Sequence, residues 1–99
     1  MNINHFKDLS KDMQVKLLDF ISEHFSKRPH FITNHTAYGM KQKFTALAES
    51  NQHVTSRCFM EAMVQSGYET KILDENASED SKDWIFNAYV KKSFYKANS

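Results

Sequence analysis

One cysteine and five histidines are the residues of this chain able to ligate a metal or act as nucleophile and base. His30 and His35 stand five apart across Pro29's connector, and His53 and Cys58 flank the start of a capped segment. Zinc sites draw on closely spaced Cys and His ligands, and no C-x-x-C or H-x-x-x-H pair occurs. Cys58 with one of the histidines offers a nucleophile and a base, but no third group is placed to orient that base. Core filling is therefore the reading taken for Cys58, and surface or capping roles for the histidines. With two glycines, the chain has no phosphate-cradling loop. The carboxylates concentrate in a polar stretch, and a solvated loop is a poor mount for paired acid and base. No enzyme activity, metal or cofactor is expected.

What remains is charge. From Phe25 to Ala48 there are four cations (Lys27, Arg28, Lys41, Lys43), two histidines and no acid. From Asp74 to Asp83 there are five acids and only Lys82, and Lys91, Lys92 and Lys96 make the C-terminal end basic again. The surface is expected to be bipolar. A net charge of +1 argues against a monomer that holds DNA by bulk charge alone.

The elements that must carry these groups read from the N-terminus as follows. Residues 1–9 are a lead-in anchored by Ile3, Phe6 and Leu9. Ser10 caps a helix over 10–25 whose stripe is Met13, Leu17, Phe20, Ile21, His24 and Phe25, and Pro29 stops it. Thr36 or Asn34 caps a second helix over 36–48, with Ala37, Met40, Phe44, Leu47 and Ala48 facing inward. Gly39 inside it costs about 1 kcal/mol of propensity relative to Ala, which predicts close approach of another backbone, the alternative being a helix that starts after Gly39.

The third helix, 55–66, carries its own start and stop. Thr55 is the N-cap, Val54 and Phe59 have staple spacing, and Gly67 is the left-handed terminator before Tyr68. Phe59, Met60, Met63 and Val64 are predicted to face inward. Beyond it, 68–73 and Trp84–Val90 read as the two strands of a hairpin joined by the acidic loop 74–83. Trp84, Phe86 and Ala88 share one face, and Ile85, Asn87 and Tyr89 the other. Residues 93–99 are a tail.

Ninety-nine residues predict one domain, with no run long enough to span a membrane and no signal-peptide core. A lone cysteine suits a reducing cytoplasm. The fold class expected is α+β: a three-helix, helix-turn-helix-like core with a C-terminal antiparallel β-hairpin, winged-helix-like. Its core would hold Leu17, Ile21, Tyr38, Met40, Phe44, Leu47, Phe59, Met63, Tyr68, Trp84 and Phe86, each worth about 1.5–3 kcal/mol when buried.

Two binding modes follow. In the first, Lys41, Lys43 and Arg57 contact phosphates, while Thr55, Ser56, Arg57, Glu61 and Gln65 present base-reading groups from the third helix, in a homodimer that supplies enough charge. In the second, Asp74, Glu75, Glu79, Asp80 and Asp83 imitate a run of phosphates and engage a basic protein.

The segment Thr36-Ala-Tyr-Gly-Met-Lys41, the block V-T-S-x-x-F-x-x-A-M-x-x-S-G-Y from Val54 to Tyr68, and Asp83-Trp-Ile-Phe-Asn87 together resemble a small domain of phage, plasmid and integrative-element proteins of Gram-positive bacteria. That domain reads S-Y-G-L-K-H, then Y-[IV]-[ST]-N-G-x-F-K-x-A-M-L-x-x-G-Y, then N-W-x-F; it is also similar to C-terminal winged-helix regions of phage and plasmid primases. The resemblance implies a mobile-element origin, a winged-helix-like fold, and either a small nucleic-acid-binding regulator or an anti-CRISPR inhibitor of a Cas effector in the cytoplasm of a bacterial host. Ser56-Arg57-Cys58 departs from N-G-x at the start of the third helix. The strand connection is also longer and more acidic than the pattern, which favours a protein-facing wing.

Overall fold

The computed structural model describes residues 5–48, 54–73 and 83–96. Helix α1 (Lys11–His24) begins where Ser10 Oγ accepts the Met13 N–H at 3.2 Å, with Asp12 in the first turn favourable to the helix dipole. Met13, Leu17, Phe20, Ile21 and His24 form its buried stripe. The helix stops one residue before the predicted end. Phe25 is extended and opens strand β1 (Phe25–Lys27). The chain just before a proline is biased toward extended backbone, and a β-ladder partner from the far end of the sequence completes the change.

Helix α2 (Ala37–Ala48) buries Ala37, Met40 and Phe44, while Leu47 and Ala48 are half-buried. It begins before Gly39, and a Cβ at Gly39 would meet nothing within 4 Å. The predicted close approach there is absent. Tyr38, expected in the core, is 53% exposed, because a helix turns about 100° per residue and the inward line runs through its neighbour Ala37. The carbonyl of Thr36 accepts the Met40 N–H. A carboxylate from another element completes the start of the helix: Asp83 Oδ1 accepts the N–H of Tyr38 at 3.1 Å and of Trp84 at 2.9 Å.

Helix α3 (Ser56–Gln65) matches its local signals. Thr55 Oγ1 accepts the Cys58 N–H at 3.1 Å, and Val54 and Phe59 are fully buried. At the other end the Gly67 N–H donates to Val64 and the Tyr68 N–H to Met63, with Gly67 at φ +96°. These are the two bonds of a Schellman stop. Val64, expected inside, is exposed, and Met60 is half-buried against the core.

The run 84–90 is two strands rather than one. Strand β2 (Thr70–Ile72) pairs antiparallel with β3 (Trp84–Phe86), Lys71 opposite Ile85. Strand β4 (Ala88–Val90) pairs instead with β1, Ser26 opposite Tyr89. Asn87 makes the junction: its Oδ1 accepts the Glu69 N–H at 2.7 Å and its carbonyl accepts the Arg28 N–H. The connector after β1 runs along the far edge of β3, where the Ile32 N–H donates to Phe86. Trp84 and Phe86 enter the core; Ile85 is buried on the opposite face, outside that cluster. Of the tail predicted over 93–99, in which Phe94 and Tyr95 are candidates to dock, the described residues belong to a short helix α4 (Lys92–Lys96) whose Phe94 is buried among Phe20, Phe25 and His24.

Among the described residues the result is an α+β domain with four α-helices and two two-stranded antiparallel sheets. Phe6 and Leu9 join its core as predicted, while Ile3 lies outside the described residues. No described helix is long and apolar enough to cross a membrane.

Candidate nucleic-acid interface

Charge is uneven along the sequence: 25–48 has four cations and no acid, while 74–83 has five acids against Lys82. Past α1 the described residues number nine cations and three carboxylates, Glu61, Glu69 and Asp83. Each of those carboxylates accepts hydrogen bonds from the protein itself. Glu61 takes the Phe6 N–H at 2.8 Å and lies 2.9 Å from His5 Nδ1. Asp83 takes two backbone N–H groups, and Glu69 takes Asn87 Nδ2 at 3.4 Å.

The predicted contacts divide accordingly. Lys41 and Lys43 lie on different flanks of α2: Lys41 Nζ stands 5.1 Å from the Tyr38 ring centroid, Lys43 Nζ 5.3 Å from that of Phe94. Ser56 and Arg57 occupy the first turn of α3, half-buried, and Gln65 is exposed at its last turn. Thr55 is committed as a cap and also donates to Cys58 Sγ. Glu61 is a base reader by helical position alone, yet it does not face open solvent. It ties the N-terminal segment to α3 instead, because the predicted lead-in folds back onto that helix. Asp74, Glu75, Glu79 and Asp80 lie outside the described residues; Asp83 is described, and its carboxylate caps α2.

Two cations have partners that local sequence does not suggest. Lys71 Nζ lies 4.4 Å from the Phe31 ring centroid, and Lys27 Nζ 5.7 Å from that of Tyr68. The spacing of Tyr38 and Lys41, three apart on one helix, carries a local signal for their pairing; nothing local relates Phe31 to Lys71.

The histidines serve the frame. His24 is buried with its Nδ1 2.8 Å from Ser93 Oγ, and His35 Nε2 lies 2.7 Å from the Tyr95 hydroxyl. Both imidazoles therefore hold α4 in place, on either side of Phe94. Burial lowers the pKa of both below the ordinary 6.5; for His24, Glu23 opposes the shift while Lys43 and Lys91 add to it. The unfolded chain takes up these protons first as pH falls below about 6.5. Stability is then complete above that pH and declines through the window down to the folded-state values. The denaturant midpoint is expected to be lower at pH 5.0 than at pH 7.5, with a smaller drop in the double variant His24→Gln, His35→Gln. Equal drops in both proteins would contradict this role.

Cys58 is fully buried, and among the described residues no three His, Cys, Asp or Glu side chains converge as a metal site. Two shallow depressions exist. One of about 360 Å³ lies between α1 and α2, lined by Phe20, His24, Phe44 and Leu47; one of about 320 Å³ is bordered by Phe25, Lys27, Ser66 and Tyr68. A scan against protein-family models and searches of curated proteins and of solved structures return no match.

Proposed function

We propose that this protein is a small regulator, of phage or mobile-element origin, that binds nucleic acid through a helix-turn-helix-like unit. In this reading α2 and α3 are the paired helices, β2 and β3 the base of a wing, and β1 the strand that packs the run 84–90 onto the helices. The order α1, β1, α2, α3, β2, β3 supports a winged-helix-like arrangement. The observation that carries the reading is the run 25–48, with four cations and no acid. Beyond α1 the described residues add Arg57, Lys71, Lys91, Lys92 and Lys96 against Glu61, Glu69 and Asp83, each of which accepts a hydrogen bond from the protein. Lys41, Lys43 and Arg57 would meet phosphates, and Ser56 and Gln65 would face the groove. Thr55 and Glu61 are left out because the fold already uses them. A homodimer would double the basic face.

The second reading keeps the acidic stretch as the contact. Asp74, Glu75, Glu79 and Asp80 against Lys82 leave a net of −3 within nine residues, suited to the cationic channel of a host nucleic-acid-binding protein such as a Cas effector. Asp83 drops out of that set as the cap of α2. Capture from bacterial host lysate, with and without nuclease, separates the two. Recovery of nucleic acid alone, lost on nuclease treatment, is expected from the first reading; a nuclease-resistant protein partner would overturn it in favour of the second.

A further inference from the structure

We propose that Tyr38 with Lys41 and Phe31 with Lys71 form one stacking platform for the unpaired bases of a single-stranded nucleic acid. This rests on the reading of the chain as a nucleic-acid binder, and it adds a ligand class that a groove-reading helix does not take.

The two pairs come from distant parts of the chain, and Asp83 brings them together. Its carboxylate accepts the Tyr38 N–H at 3.1 Å, and its carbonyl accepts the Leu73 N–H at 2.9 Å. Leu73 is two residues beyond Lys71, where the strand period returns side chains to the same face. Lys71 in turn lies over Phe31. Among these side chains Tyr38 is 53% and Leu73 49% exposed, Lys71 is exposed, and Phe31 and Lys41 are half-buried.

A nucleotide carries a flat π-face and, a short way off, an anionic phosphate. In each pair the ammonium lies over one face of the ring, so a base would stack on the other face with the ammonium in reach of its phosphate. Base-on-ring stacking is indifferent to sequence because every base has a π-face, and nearby cations hold the backbone. The ammonium groups hold Tyr38 and Phe31 before a strand arrives, so less ordering remains for binding. Two described carboxylates flank this place: Asp83 is shared between two backbone donors, and Glu69, two residues before Lys71, accepts Asn87 Nδ2 at 3.4 Å. A duplex hides its base faces in its own stack, which makes this platform selective for unpaired strands.

The test titrates the full-length protein with a labelled 12-nucleotide single strand of mixed sequence, with the same backbone lacking its bases, and with a duplex. Stacking on two rings predicts that the abasic strand binds more weakly than the base-bearing one by at least the roughly 5- to 150-fold that one stacked base supplies. Tyr38→Ala should shrink that difference by the share of one stacked base, and Tyr38→Phe should keep it whole. Tyr38 is exposed, so the variant stays folded, and a thermal melt confirms it. Equal binding of the abasic and base-bearing strands, or an unchanged difference in Tyr38→Ala, overturns the platform. A duplex bound while that difference is missing sinks the platform and leaves the helix-turn-helix reading standing. A base-dependent single-strand interaction with no duplex binding does the reverse, and absence of all binding removes both.

Discussion

Phe59→Ala is expected to lower the free energy of unfolding by about 3–5 kcal/mol. Phe59 is fully buried. Its ring meets Phe20 edge-on at 6.2 Å and Phe25 at 6.4 Å. Truncation therefore removes apolar burial, the edge-on ring packing and the support of Val54, which has the staple position, at one stroke. The cavity would open where α1, β1 and α3 meet, too rigid a place to collapse around it. A domain of this size has about 5–15 kcal/mol in total, so the variant should sit near its unfolding midpoint in mild denaturant. A loss under about 1 kcal/mol in a denaturant titration would place Phe59 outside the core and undo the assignment of α3's inner face.

The second large effect is on binding. Replacing Lys41, Lys43 and Arg57 together by Gln should weaken duplex binding by about tenfold or more at low salt. The salt dependence should also become shallower by up to about 2.7 in log–log slope, about 0.9 for each phosphate that is no longer neutralised. None of the three is buried, so stability should change little. Because Lys41 and Lys43 lie on different flanks of α2, the single variants report how much each flank contributes. An unchanged affinity in the triple variant would remove all three residues from the interface.

Much of the frame is legible from local chemistry. Ser10, Thr55 and Gly67 act within four residues of themselves, so their caps and stops can be read from type and spacing. The inner stripe of α1 and the Ala37, Met40, Phe44 line of α2 follow from helical period in the same way. What escapes such a reading is nonlocal. Phe25-Ser-Lys27 has no strand signal of its own, and only the remote Ala88–Val90 makes it one. The continuous β-rich run 84–90 gives no hint that Asn87 divides it between two partners. Phe94 draws the C-terminal residues into a helix because a pocket of rings from α1 and β1 awaits it.

The candidate site is less legible for the same reason. Glu61 is a solvent-facing residue by helical period, until the N-terminal segment arrives with the Phe6 N–H and His5. Asp83 belongs by sequence to an acidic loop, yet its oxygen stands at the start of a helix 45 residues earlier. Tyr38 is core by its bulk and stands outside by its angle. In each case the residue type announces a capability and the tertiary partner decides its use.

The most direct measurement is a salt series on the unmodified protein with a labelled duplex of mixed sequence. A surface that works by displacing counterions predicts a straight fall of log affinity with log salt, with a slope near about −2.7 if Lys41, Lys43 and Arg57 each meet one phosphate. Affinity that does not change between about 50 and 200 mM salt, or no duplex binding at the lowest salt, would contradict the account.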